Sequence, residues 1–166
     1  MSGLKTRFLT ALVFIAVMLT GTLTGAYTYL LLFGLINFLC LREFYQLVLG
    51  QDAHSSQLRL TVALLLGAAP FLLTAMIQLD WIRLDSDWIL KISLLYLIGF
   101  FIALLIELGK ASNAALQNLG AIALGILYLG LPFGLLNLIA LHDGDYQMHV
   151  VLGLLLLTWT NDTAAY

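Results

Sequence analysis

The residues best suited to chemistry lie at the end of the sequence, in the segment Thr158-Trp159-Thr160-Asn161-Asp162-Thr163-Ala164-Ala165-Tyr166. Asp162 follows an apolar run that begins near Val150, and at 1.5 Å per residue it lies roughly 18 Å along a helical membrane crossing. A carboxylate at that depth in a hydrocarbon core of about 30 Å is costly to bury, so it indicates a functional site in a polar pocket. On a helix, Thr158 and Tyr166 would share its face, with Asn161 beside it.

The composition of the whole chain excludes a soluble domain. Hydrophobic residues make up 62% of its 166 positions and charged residues 10%, whereas soluble domains carry about 25% charged residues. The net charge of −2 provides no basic surface for nucleic acid. A single cysteine, Cys40, excludes an intrachain disulfide and a cysteine-based metal cluster. The sequence therefore predicts an all-α, polytopic membrane protein with the lipid bilayer as its surroundings.

Six apolar runs predict about six transmembrane helices, judged against the roughly 20 residues that cross a bilayer. The runs cover residues 8–24, 26–41, 60–79, 88–106, 119–141 and 150–166. The first two would be too long for one crossing if they formed a single helix. A helical hairpin with a tight turn at Gly25 is therefore predicted.

The basic residues predict the orientation, because Lys and Arg near span ends stay preferentially on the cytoplasmic side. An inside N-terminus leaves Arg83 and Lys91 outside and collects five of the seven basic residues inside, namely Lys5, Arg7, Arg42, Arg59 and Lys110. We therefore expect a multi-pass protein of the cytoplasmic (inner) membrane with both ends in the cytoplasm. The loops around Asp85 and Asp143 would then face outward.

Other features have local structural interpretations. Glycines four apart, at 21 and 25 and at 130 and 134, could let helices approach closely or could be chance, since glycine is common in membrane helices. Pro70 and Pro132 lie inside spans and should bend them. Glu107 and Lys110 are three residues apart, which predicts a pair on the surface of one helix. The segment that begins with Arg42 and Glu43 suits an interfacial helix end.

Three stretches of the sequence resemble one enzyme family. The end motif, Trp159-x-x-Asp162-Thr163-x-Ala165-Tyr166, resembles the W-x-x-D-[ST]-x-A-Y segment of bacterial phosphatidate cytidylyltransferases, also called CDP-diacylglycerol synthases. The basic opening Leu4-Lys5-Thr6-Arg7-Phe8-Leu9-Thr10-Ala11 and the segment Arg42-Glu43-Phe44-Tyr45-Gln46-Leu47 resemble two further, less specific stretches of that family. Their order and separations fit along all 166 residues.

This resemblance implies a membrane enzyme that transfers CMP from CTP to phosphatidate, giving CDP-diacylglycerol and pyrophosphate in phospholipid biosynthesis. It implies Mg²⁺ as the cofactor and a site on the cytoplasmic side. Asp162 would be the catalytic carboxylate and a metal ligand, while Asn161, Thr163 and Tyr166 would bind substrate. Homo-oligomers are compatible with this assignment.

The family's Ser-Pro-x-Lys-Thr-x-(Glu/Gln)-Gly loop and its later Lys/Asp-rich signature do not occur in residues 1–166. We therefore expect these residues to be the N-terminal portion of a longer cytidylyltransferase domain and to be inactive alone. Two other classes remain open. A small transporter would also place an Asp at depth, and a non-catalytic assembly subunit would need only helix packing. Binding of CTP would distinguish the enzyme from both.

Overall fold

The computed structural model describes residues 2–49, 56–83, 85–109, 114–142 and 145–165. Within these ranges the chain is almost entirely helical. Its elements are α1 (Ser2–Leu23), α2 (Ala26–Val48), α3 (Ser56–Gln78), α4 (Ser86–Leu108), α5 (Ala115–Gly125), a π-helical segment (Ile126–Gly130), α6 (Leu131–Ala140), β1 (Leu141–His142), β2 (Asp145–Tyr146) and α7 (Met148–Ala164).

Five helical stretches are long and apolar enough to cross a membrane. They are Lys5–Leu23, Ala26–Val48, Gln57–Gln78, Asp87–Leu108 and Ala115–Ala140. The last of these joins α5, the π-helical segment and α6 into one span. α7, which lies in the sixth predicted run, has 17 residues and is therefore about 25 Å long at 1.5 Å per residue. The predicted all-α, polytopic membrane architecture is confirmed.

Contacts between distant parts of the chain show the direction in which the helices run through the bundle. The pairs are Tyr146 with Thr22, Tyr29 with Asn137, Tyr45 with Ile122, and Arg59 with Glu107. The first turns of α1, α3 and α5 therefore lie at the same end of the bundle as the last turns of α2, α4 and α7. We call this the N-terminal end.

The predicted hairpin between the first two runs is confirmed, with Gly25 as the residue that precedes α2. Gly25 has φ 147°, a backbone conformation that is readily available only to glycine. Close packing continues on α1, because a Cβ at Gly21 would overlap the side chain of Leu32 on α2. The Gly21 and Gly25 pair thus serves a turn and a close helix contact.

α2 packs into the core of the bundle through residues spaced four apart. Its buried residues are Tyr29, Phe33, Asn37, Leu41 and Tyr45. This spacing places all five on one face of the helix. The two ends of the stripe belong to two separate hydrophobic clusters, so α2 connects both halves of the core.

α3 crosses the fifth predicted span at a contact between backbones. A Cβ on Gly130 would overlap the carbonyl oxygen of Gly67, and one on Gly134 would lie 3.0 Å from the carbonyl oxygen of Pro70. Backbone atoms cannot move aside as a side-chain end can. The glycines at 130 and 134 are therefore confirmed as a packing motif.

Both prolines interrupt helical hydrogen bonding. Pro70 has no N–H, so the carbonyl of Leu66 loses its usual donor, and the hydroxyl of Tyr96 on α4 donates to that oxygen at 3.3 Å. Before Pro132, the N–H of Leu131 donates to the carbonyl of Ile126, five residues back, in the π-helical segment. Such segments commonly accompany bends in helices.

Candidate functional site

The candidate site is on α7, which lies beside α1 and α6 at the edge of the bundle. The rings of Trp159 and Phe14 on α1 are 6.4 Å apart between centroids. Val151 is buried, and most of the described α7 side chains that follow it are exposed. The final turns of α7 thus bring Asp162 to the N-terminal end of the bundle.

The predicted site residues that the structure describes share an exposed helix end. Asn161, Asp162 and Thr163 are all exposed, while Tyr166 lies outside the described residues. The hydroxyl of Thr163 donates to the carbonyl of Trp159 at 2.7 Å, so its oxygen retains acceptor capacity. Within the described ranges the carboxylate of Asp162 accepts no hydrogen bond and forms no ion pair.

The sequence predicts a polar pocket around Asp162, and the described residues do not enclose one. Two apolar grooves do occur, between α2 and α3 and between α3 and α4, and neither includes a residue of α7. Asp162 instead faces outward from the part of the chain that the structure describes. The pocket itself stays a prediction.

The donor atoms near Asp162 set a limit on metal binding. No group of three His, Cys, Asp or Glu side chains that could bind a metal occurs in the described residues. Magnesium, however, is often bound by one or two protein carboxylates together with water and substrate phosphates. Asp162 is exposed and has no partner among the described residues, which fits a single-ligand role of that kind and does not fit a site built from protein atoms alone.

A second polar site joins three helices at the N-terminal end, and sequence reasoning missed it. The Nε of Arg59 on α3 is 2.6 Å from Oε1 of Glu107 on α4, and the Nδ2 of Asn118 on α5 donates to Oε2 of Glu107 at 2.7 Å. The contact between Arg59 and Glu107 is an ion pair rather than a well-aligned hydrogen bond. All three side chains are buried.

This site corrects the predicted surface pair between Glu107 and Lys110. Glu107 is fully buried and pairs with Arg59, and Lys110 lies outside the described residues. One feature of the sequence could have predicted the pairing of Arg59 with Glu107. Arg59 directly precedes one apolar run and Glu107 directly follows the next, so two opposite charges border the membrane at the same predicted end, where such charges tend to pair.

The segment at the end of α2 separates into exposed and buried parts. Arg42 and Glu43 are exposed, as an interfacial helix end requires. Tyr45 is fully buried against Gly67 and Gly125, and its hydroxyl donates to the carbonyl of Ile122 at 3.1 Å. Its described contacts give Tyr45 a role in packing, which the sequence motif did not indicate.

The comparisons with known proteins give one match. The sequence profile of the cytidylyltransferase family matches residues 5–166, in agreement with the resemblance to CDP-diacylglycerol synthases. None of the curated proteins and none of the solved structures matches the chain. The profile match supports nucleotidyl transfer that uses CTP as a substrate. Since the match covers nearly the whole sequence, this membrane-spanning chain belongs to the cytidylyltransferase family.

Proposed function

We propose that the chain acts in the transfer of CMP from CTP to phosphatidate, which gives CDP-diacylglycerol and pyrophosphate. One observation carries the proposal: the family match extends over five stretches that are long and apolar enough to cross a membrane. A cytidylyltransferase built from such helices is suited to an acceptor that stays in the bilayer. Phosphatidate is such an acceptor, since it combines lipid tails with a phosphate nucleophile.

The reaction joins a lipid phosphate to a water-soluble nucleotide. An oxygen of the phosphatidate phosphate attacks the α-phosphorus of CTP, a new P–O bond forms, and the bond to the β-phosphate breaks to release pyrophosphate. Both substrates must meet near the membrane interface so that the lipid tails remain in the bilayer. Asp162 lies two residues before the end of α7, at the N-terminal end of the bundle, and we propose that this end faces the cytoplasm.

We propose that Asp162 is the catalytic carboxylate and a ligand to magnesium carried on the nucleotide phosphates. When bound, the ion would neutralise charge on the transferring and leaving phosphates. In this proposal Asn161 and Thr163 bind substrate, the amide of Asn161 as a donor and the hydroxyl oxygen of Thr163 as an acceptor. Tyr166 remains a proposed substrate-binding residue.

We further propose that groups beyond residues 1–166 complete the site. Asp162 is the only Asp, Glu, Lys or Arg within the described helix α7, and the Lys-containing loop of the family, which would supply a cationic partner for a triphosphate, does not occur in residues 1–166. Purified residues 1–166 should therefore enter membranes and form no CDP-diacylglycerol. A longer protein that contains residues 1–166 is the positive control for CDP-diacylglycerol formation. Product above background from residues 1–166 alone would contradict this part of the proposal.

The acceptor is tested with membranes that contain the complete protein. These are incubated with magnesium and CTP labelled at either the α- or the γ-phosphorus, and phosphatidate, an isoprenyl phosphate or diacylglycerol is supplied in vesicles. We expect lipid-soluble label from α-labelled CTP with phosphatidate, and none from γ-labelled CTP. Label from the γ-position would indicate a kinase, and preference for the isoprenyl phosphate would replace the proposed acceptor. Absence of transfer together with absence of CTP binding would favour the transporter or assembly-subunit alternatives.

A further inference from the structure

α1 and α7 pack against each other and run in opposite directions. The hydroxyl of Tyr146, just before α7, bonds to the carbonyl of Thr22 near the end of α1. Closer to the N-terminal end of the bundle, the rings of Phe14 and Trp159 are 6.4 Å apart between centroids. Because each residue adds about 1.5 Å along a helix, this ring pair allows the heights of other residues on the two helices to be compared.

Asp162 and Arg7 both lie between this ring pair and the N-terminal end of the bundle. Asp162 is three residues after Trp159, about 4.5 Å toward that end. Arg7 is seven residues before Phe14, about 10.5 Å toward the same end. The two positions therefore differ in height by about 6 Å. Both side chains are exposed, and among the described residues they form no ion pair with each other.

Arg7 lies on the side of α1 that meets α7. Seven residues make nearly two full helical turns, so Arg7 shares its face of α1 with Phe14. Lys5 is nine residues before Phe14, which is two and a half turns, so it lies on the opposite face. Lys5 and Arg7 are the basic residues of α1, and both are exposed. α1 therefore presents one of its two cations, Arg7, toward the final turns of α7.

The height of Arg7 corresponds to the edge of the membrane. The apolar span of α1 begins at Lys5, so Arg7 lies in the first turn of that span. Lipid phosphates lie in the headgroup region next to the hydrocarbon core, and the phosphates of a nucleotide reach the same region from water. An arginine at this height can contact either kind of phosphate.

We propose that Arg7 binds a phosphate group of a substrate at a site that it shares with Asp162. A guanidinium is suited to this role because it can donate two parallel hydrogen bonds to one phosphate. Asp162 and Arg7 would then contact the reacting phosphates from two helices, Asp162 through magnesium and Arg7 directly. The inference rests on the proposed function for the identity of the substrates, phosphatidate and CTP.

The test is equilibrium binding to the complete protein, with phosphatidate in mixed micelles and separately with CTP and magnesium. Arg7→Gln should raise the Kd of at least one substrate about tenfold or more, because a charge-assisted contact is lost. Arg7→Lys keeps the charge without the paired hydrogen bonds and should recover part of the loss. A raised Kd for phosphatidate alone assigns the lipid phosphate, and one for CTP alone assigns a nucleotide phosphate.

Lys5→Gln is the matched control, since it removes the same charge from the same end of α1 on the opposite face. It should change each Kd by less than about twofold, because an exposed charge that makes no direct contact is screened. All variants should have the parental unfolding temperature, since both side chains are exposed. Equal losses for Arg7→Gln and Lys5→Gln would overturn the inference, because attraction by the general positive charge would then explain them.

The same measurements separate this inference from the proposed function. Parental Kd values for Arg7→Gln, in a protein that transfers CMP to phosphatidate, would overturn only the role of Arg7. A protein that binds both substrates and transfers no CMP would contradict the proposed function, and a raised Kd in Arg7→Gln would still support the phosphate site. Absence of binding of either substrate to the parent would contradict both.

Discussion

Two acidic side chains at the N-terminal end of the bundle occupy opposite environments. Glu107 is fully buried between Arg59 and Asn118, whereas Asp162 is exposed and has no partner in the described residues. A buried carboxylate must have its charge compensated within the fold. Glu107 is therefore engaged in joining helices, while Asp162 remains available to an external ligand. Substitutions at the two positions should affect different properties.

The largest expected effect is on activity, at Asp162. In the complete protein, Asp162→Asn should lower CDP-diacylglycerol formation by about 10² or more, because one charge-stabilising contact to the reacting phosphates is lost. Insertion and thermal stability should be unchanged, since the side chain is exposed. Asp145→Asn is a matched control, because Asp145 is an exposed Asp at the opposite end of the bundle.

The second effect is on stability, at Glu107. Glu107→Gln removes the carboxylate that pairs with the buried Arg59 and should lower the free energy of unfolding by about 3–5 kcal/mol. Replacing both partners by Leu should cost much less, because no charge then remains to be buried. Thermal unfolding in detergent measures both. If the single and double variants are equally unstable, the ion pair is not the source of the effect.

A smaller effect on stability is expected where α3 crosses the span formed by α5, the π-helical segment and α6. Gly130→Ala places a methyl group against the backbone of Gly67 and should destabilise the protein by about 1–3 kcal/mol. Gly120→Ala lies in the same span, where a Cβ has no neighbour within 4 Å, and should be neutral or slightly stabilising. Equal unfolding temperatures for the two variants would contradict the close contact.

The smallest effect is expected at Tyr146, whose hydroxyl donates to the carbonyl of Thr22 at 2.7 Å. Tyr146→Phe removes this bond between β2 and α1 and should cost about 1 kcal/mol. Tyr128→Phe, at a residue that is 72% exposed, should cost nothing measurable in the same denaturation assay. A loss of similar size at both positions would show that the bond contributes nothing specific.

The same tyrosine predicts a dependence on pH. Burial raises the pKa of Tyr146 to about 12, above its value of about 10 in an unfolded chain. The folded state therefore retains the proton more strongly. The stabilisation should be constant below about pH 10 and should decline between pH 10 and 12. Tyr146→Phe should remove this part of the decline, and an unchanged profile would exclude Tyr146 as its source.

The sequence predicts those parts of the fold that depend on local patterns. Run length and a glycine between two runs predict the hairpin at Gly25, and glycines four apart indicate the contact near Gly130. The motif around Asp162 leads to the family. Each of these signals lies within a short stretch of chain. It can therefore be interpreted without knowing how the helices are rotated against one another.

The rest depends on helix rotation and on distant pairing. α4 is apolar on most of its surface, so hydrophobic periodicity does not indicate which face meets α3. A local spacing rule therefore assigned Glu107 to Lys110 instead of Arg59. The short strands β1 and β2 likewise depend on tertiary contacts, including the bond from Tyr146 to Thr22. The polar pocket expected around Asp162 is not formed by the described residues and stays a prediction.

The central claim is that Asp162 serves transfer from CTP while Glu107 serves the fold. The most direct test is the rate of CDP-diacylglycerol formation by membranes that carry the complete protein with Asp162→Asn, normalised to the amount of folded protein. We predict a rate lower by about 10² or more with an unchanged unfolding temperature. A near-native normalised rate would contradict the account, because Asp162 would then be only an exposed helix end.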